Sequence, residues 1–185
     1  MLRLLTLAAL LAPLPALAHG AGAHVHGVAA GLLHPVGGLD HILAMVAVGL
    51  WAGLTGGRAV LALPAAFLGG MALGGGLGMA GTGLPMMEAG ILASVIILGA
   101  LVAGATRLPL RVGLPLVAAF GLLHGNAHGL ELAAGTGAPG YALGFLLATA
   151  ALHGAGLLAA RHLALLPVRL AGGAMAAVML AVILL

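Results

Sequence analysis

Long unbroken apolar runs, separated by short breaks of Gly, Pro, Thr and Arg, occupy nearly the whole chain. They fall at roughly 28–54, 59–79, 89–106, 112–132, 139–160 and 164–185. The breaks are Thr55-Gly56-Gly57-Arg58, Gly81-Thr82-Gly83-Leu84-Pro85, Thr106-Arg107-Leu108-Pro109, Gly135-Thr136-Gly137-Ala138-Pro139 and the less distinct Leu166-Pro167. Runs of this length match the hydrocarbon thickness of a bilayer when helical. They do not alternate apolar with polar, as the strands of a membrane barrel do. The pattern predicts an all-α polytopic membrane protein with a six-helix transmembrane domain over 28–185.

Residues 1–18 lie ahead of that domain and have the build of a cleavable signal peptide. Arg3 is the basic start, Leu4–Leu14 the apolar stretch and Ala16-Leu17-Ala18 the small-residue cleavage site. Cleavage leaves a His-rich extracytoplasmic segment, 19–27, carrying His19, His24 and His26. With that end outside, Arg58, Arg107, Arg111, Arg161 and Arg169 all fall in or beside the three cytoplasmic loops, and the opposite loops contain no Arg. This is the positive-inside distribution. It predicts both mature termini outside and a multi-pass location in a bacterial inner (cytoplasmic) membrane.

Composition sharpens this picture. The chain is 63% hydrophobic and 5% charged, too little charge for the surface of a soluble domain. Its high pI, about 11.3, comes from Arg residues scattered singly, so no nucleic-acid partner is implied. With no Cys there is neither a disulfide framework nor a thiolate metal site. Gly69-Gly70 and Gly74-Gly75-Gly76-Gly78 read as helix packing. They lack the Lys-Ser/Thr of a phosphate loop, and no ATPase subunit is evident.

Two histidine–carboxylate clusters stand out inside the apolar runs: His34-Pro35-Val36-Gly37-Gly38-Leu39-Asp40-His41 and His124-Gly125-Asn126-Ala127-His128-Gly129-Leu130-Glu131. Ionisable groups at bilayer depth are costly and are generally kept for function. His124, His128 and Glu131 share one helical face, the spacing that directs side chains to one ion. In a regular helix the Cα atoms of His34 and His41 would be about 10 Å apart, too far for one ion. Pro35 and Gly37-Gly38 make a break plausible there, and irregular backbone in a membrane belongs beside protein or a water-lined cavity.

At about 1.5 Å per residue, His34 lies about 9 Å deep, Asp40-His41 about 18–20 Å, His128 about 6 Å and His124 about 12 Å. Glu131 lies near the outer surface, and His153 about 21 Å deep. This predicts a ladder of ligands forming a path, whereas a catalytic centre would need them at one level. Asn126 points to a different face and is free to bond a neighbouring helix. Some residues admit two readings. His153 is a path ligand or a carbonyl-bonded structural residue. Glu88, beside Met86-Met87, is an exposed charge or a path-lining ligand. His19, His24 and His26 capture metal at the entrance or are inert, and His162 is interfacial.

On these two motifs, together with a signal peptide and six small spans, the chain resembles the HupE/UreJ family of nickel-related membrane proteins. Leu123 stands where that family's pattern has Phe before His-Gly. The first motif is also similar to the H-x4-D-H of larger nickel/cobalt permeases, with one extra residue. The HupE/UreJ resemblance implies a secondary permease taking up Ni²⁺, with Co²⁺ a further substrate, for hydrogenase or urease maturation. Independently, borderline N/O ligands suit Ni²⁺, Co²⁺ or Zn²⁺, and the lack of thiolates disfavours Cu⁺. The chain is thus read as a carrier rather than an enzyme, with no prosthetic cofactor and with the metal as cargo. The competing readings are an intramembrane zinc-dependent hydrolase using Ser94, and a metal-sensing accessory membrane subunit. Leu-His…Gly-Leu-Asp/Glu in spans 1 and 4 also hints at an inverted repeat of three spans.

Overall fold

A computed structural model describes residues 27–132 and 138–184. The signal segment, His19, His24 and His26 lie outside the described residues. In chain order the helices are α1 (Val28–Leu33), a 3-10 turn (His34–Gly37), α2 (Leu39–Thr55), α3 (Ala59–Met79), α4 (Met87–Ala103), α5 (Leu110–Leu132), α6 (Ala138–His162) and α7 (Leu165–Leu184). No strand occurs among the described residues. Helices α3, α5, α6 and α7 are each long and apolar enough to cross a membrane, whereas α4 is apolar but spans only 17 residues. The chain is an all-α, multi-pass membrane protein.

Each apolar run of the sequence corresponds to one helical unit, with one correction. The run 28–54 is not a continuous helix: the axis turns by 94° between Val28–Gly37 and Leu39–Thr55. The local chemistry explains the break. Pro35 has no N–H to donate to the carbonyl four residues back, so the α-helix tightens into a 3-10 turn. Gly37 and Gly38 are poor helix formers, and Gly38 is extended at φ −117, ψ 117. A new helix then starts with Asp40 in its first turn, where the helix dipole favours a negative charge.

Three tight helix pairs build the bundle: α3 with α5, α2 with α6, and α4 with α7. Glycine makes each approach possible. Gly70, Gly74 and Gly78 on α3 lie against the α5 backbone at Ala118, Leu122 and Asn126. In return, Gly121, Gly125 and Gly129 on α5 lie against the α3 backbone at Phe67, Met71 and Gly75. A Cβ at any of these would collide with a main-chain carbonyl. Gly49 of α2 and Gly156 of α6 play the same part in the second pair, and Gly99 and Gly172 in the third. Gly31 and Gly144 seat α1 on α6 in the same way.

At one end of the bundle, Arg side chains cap the ends of α2 and α4. Arg107 Nε donates to the Leu54 carbonyl at 3.2 Å, and Arg169 Nε to the Ala103 carbonyl at 2.6 Å. Trp51 Nε1 donates to the Thr106 carbonyl at 2.8 Å. Two of these acceptors are last-turn carbonyls, which a helix cannot satisfy internally. At the other end, Asn126 pins the α3–α4 connection onto α5. Its amide donates to the Gly74 and Thr82 carbonyls, and its oxygen accepts from Leu84 N–H at 2.8 Å.

The packing predicts unequal costs for one kind of substitution. Gly125→Ala and Gly74→Ala place a methyl against backbone and should each destabilise by about 1–3 kcal/mol, as overpacking does. Gly69→Ala and Gly154→Ala face open space and should be neutral or slightly stabilising. Unfolding midpoints in mild detergent separate the two classes. Equal midpoints would refute the close-contact assignment.

Candidate metal site

The bend in the first hydrophobic unit brings its ligands to those of α5. His34, on the 3-10 turn, and His128 and Glu131, on α5, place three ligand atoms within 4.8 Å of one another. Glu131 Oε2 is shared, 3.3 Å from His34 Nε2 and 3.4 Å from His128 Nδ1. Donor separations of this size suit metal–ligand bonds of about 2.1 Å in tetrahedral or wider geometry. No other group of His, Cys, Asp and Glu among the described residues is so arranged.

The site continues inward through imidazole rings in contact. The His34 and His128 rings are 4.6 Å apart, His128 and His41 4.4 Å, and His41 and His124 4.7 Å. The two ends of this series differ in burial. The Glu131 side chain is 60% exposed and His34 35%, His128 and His41 are 8% and 11%, and His124 is fully buried. A cavity of about 580 Å³, lined by His34, Asp40, His41, His128 and Glu131 among others, opens over the shallow half.

Two rings have their tautomer fixed by a neighbour. Asp40 Oδ1 lies 2.8 Å from His41 Nδ1 and also accepts from His41 N–H at 2.8 Å. An ionised carboxylate only accepts, so the proton sits on Nδ1 and the lone pair on Nε2. Ser94 Oγ donates to the Ile91 carbonyl at 2.6 Å, which commits its only proton. His124 Nε2, 2.9 Å from that oxygen, must then be the donor, leaving Nδ1 with the lone pair. The freed atoms, His41 Nε2 and His124 Nδ1, are buried without a hydrogen-bond partner, as is His128 Nε2.

Aromatic side chains wall the site. Phe145 of α6 packs on His128 at 4.3 Å between ring centroids and on His34 at 5.9 Å, with Tyr141 also on His34 at 5.3 Å. Phe67 of α3 lies against His124 at 5.5 Å. The sequence reading missed all three. Their only local signal is that Tyr141 and Phe145 are four apart at the start of a helix.

Several expectations need correcting. The depth ladder is not observed: His34 and His41 both touch His128, because the turn at 34–38 removes the regular helix from which the depths follow. Asp40-His41 stand in the first turn of α2, not midway along a helix. Asp40 hydrogen-bonds His41 and lines the same cavity. Glu88 is exposed in the first turn of α4 and belongs to no ion pair or ligand group among the described residues. His153 is buried but stands outside the group, against Phe67, with both ring nitrogens unpartnered and no carbonyl bond. His162 is exposed at the end of α6. Asn126 does bond neighbouring segments, as its helical face suggests.

Comparison with known proteins bears on the same residues. A family profile described as HupE / UreJ protein matches residues 7–183. Protein HupE of Rhizobium leguminosarum bv. viciae is 49% identical over 176 residues, covering 92% of this chain and 91% of that protein. No solved structure matches. The extent of both matches places the chain in the HupE/UreJ family of membrane proteins.

Proposed function

We propose that the chain is a secondary permease for uptake of a divalent transition-metal ion, Ni²⁺ foremost and Co²⁺ as a further substrate. In this reading it crosses a bacterial inner membrane six times, with the Arg-bearing end in the cytoplasm and a cleaved signal peptide. Its cargo supplies hydrogenase or urease maturation, the role that family resemblance implies. The observation that carries the reading is a continuous row of imidazole rings in contact, from half-buried His34 beside exposed Glu131 to fully buried His124.

Glu131, His34 and His128 receive the hydrated ion at the mouth and replace part of its water shell. His41 and His124 then offer Nε2 and Nδ1 lone pairs further in. Asp40 and Ser94 act through these rings, as outer-shell partners do in metal sites generally. Neutral imidazoles with one open path hold the ion without caging it, and conduction needs that compromise. Metal competes with protons for the same nitrogens, so a proton gradient is a natural driving force to test.

The compact cluster removes the depth argument against a fixed zinc hydrolase. Its remaining difficulty is Ser94, whose proton and oxygen are both engaged by Ile91 and His124. The decisive measurement is metal entry into liposomes containing purified protein and an internal indicator, with and without a pH gradient. His41→Ala and His128→Ala should each lower entry by about tenfold or more while protein remains in the membrane. Normal entry in both, or tightly retained metal with no entry in the wild type, would sink the permease reading.

The orienting role of Asp40 makes a separate prediction. Asp40→Ala should weaken Ni²⁺ binding by about 10–100-fold, the usual cost of losing an outer-shell partner. It should also change the His41 tautomer in ¹⁵N NMR of the metal-free protein. An unchanged tautomer would refute the assignment.

A further inference from the structure

Beside the imidazole cluster, three side chains from three helices meet at a point the sequence does not advertise. Met45 follows His41 by four residues on α2. Met71 follows Phe67 by four on α3, and Thr149 follows Phe145 by four on α6. All are buried, at 0%, 2% and 0% exposure respectively. Thr149 Oγ1 lies 3.4 Å from Met45 Sδ and 3.8 Å from Met71 Sδ. Its hydroxyl also reaches the Phe145 carbonyl at 2.9 Å, the strongest acceptor within reach. The hydroxyl has one proton for these three acceptors, so the two sulfurs keep lone pairs that no donor engages.

What lies beyond makes this more than core filling. One turn further along α6, His153 is 2% exposed, and neither ring nitrogen has a hydrogen-bond partner. Its ring packs on Phe67 at 5.2 Å, and the Phe67 ring also packs on His124. Along α6 the order is therefore Phe145 against His128, then Thr149 with the two sulfurs, then His153. Buried nitrogen ligands thus lie one turn from Met45 on α2, at His41, and one turn from Thr149 on α6, at His153.

We propose that Met45, Met71 and Thr149 form a second metal site, a thioether-lined transit station that passes a transition-metal ion from His41 and His124 toward His153. This rests on the permease reading above and adds a source of selectivity. Carboxylate and imidazole at the mouth accept many divalent ions. Thioethers favour borderline and soft ions, whereas Mg²⁺ and Ca²⁺ require oxygen ligands. Neutral sulfur also binds weakly enough for the ion to leave.

Nickel X-ray absorption on the full-length protein in detergent, loaded with excess Ni²⁺, tests the site directly. Because the chain has no Cys, any sulfur around nickel must come from Met. The wild type should show a sulfur shell beside its nitrogen/oxygen shell. Met45→Leu with Met71→Leu should lose the sulfur shell, keep the other, and lower liposome entry by about tenfold or more. A packing role alone predicts entry within about twofold, since Leu conserves the volume of Met. If the double variant does not assemble, the single variants, each with a reduced sulfur shell, carry the same test. Wild-type entry without sulfur scattering, or full entry in the double variant, would overturn the site. Sulfur scattering without entry would uphold it as a binding site and overturn the permease reading instead.

Discussion

The backbone contact between α3 and α5 governs the rest of the structure. In lipid there is no hydrophobic force pressing one apolar helix on another, so close packing and polar contacts must hold the bundle together. The stripes Gly70-Gly74-Gly78 and Gly121-Gly125-Gly129 interlock main chain on main chain. That fixes the rotation of α5 about its axis. His124 and His128 each precede a stripe glycine by one residue, about 100° around the helix. Once the glycines face α3, the histidines must face α2 and the 3-10 turn. A single Cβ in the stripe would disturb packing and ligand direction together.

Holding the ligands this way carries a cost that packing does not remove. Nitrogens of His41, His124, His128 and His153 are buried with no hydrogen-bond partner among the described residues. A buried polar atom left unpaired costs about 1–3 kcal/mol, a sizeable share of ordinary folding stability. Serine and threonine on neighbouring helices would satisfy such rings if structure were the only demand, and Ser94 does so for one nitrogen of His124. The lone pairs left over belong to the row of rings that leads inward from the cavity. Local rules fail here, where a functional site is expected to break them.

The helical units were legible because backbone in lipid must satisfy itself, so an apolar run and a helix are nearly the same object. The face shared by His124, His128 and Glu131 was legible for the same reason: α5 is regular through all three. The first motif was not. Pro35 with Gly37-Gly38 announces an irregularity, but its direction depends on distant contacts, Gly31 against the Tyr141 backbone and Gly144 against the Val28 backbone. Without that docking, His34 and His41 stay two turns apart and the ligands spread into a ladder. The bond from Asp40 to His41 was not legible either, because it depends on where the new helix starts. Met45, Met71 and Thr149 were invisible for a related reason: each is an ordinary core residue until the third helix arrives.

The helix pairing also explains why two similar motifs yield one asymmetric site. Exchanging the first three helical units for the last three carries the α2–α6 contact onto α5–α3 and returns α4–α7 to itself. Three units invert orientation, as in inverted-repeat transporters. Gly31-Leu32-Leu33-His34 and Gly121-Leu122-Leu123-His124 begin the two motifs alike, and each ends in Gly-Leu and an acid. Proline follows the first histidine and glycine the second. One string therefore breaks and the other runs straight. The broken copy swings His34 out over His128 and Glu131 while leaving His41 beside His124. The break confines the exposed ligands to one end of the bundle, and that gives the row of imidazoles a mouth and a direction.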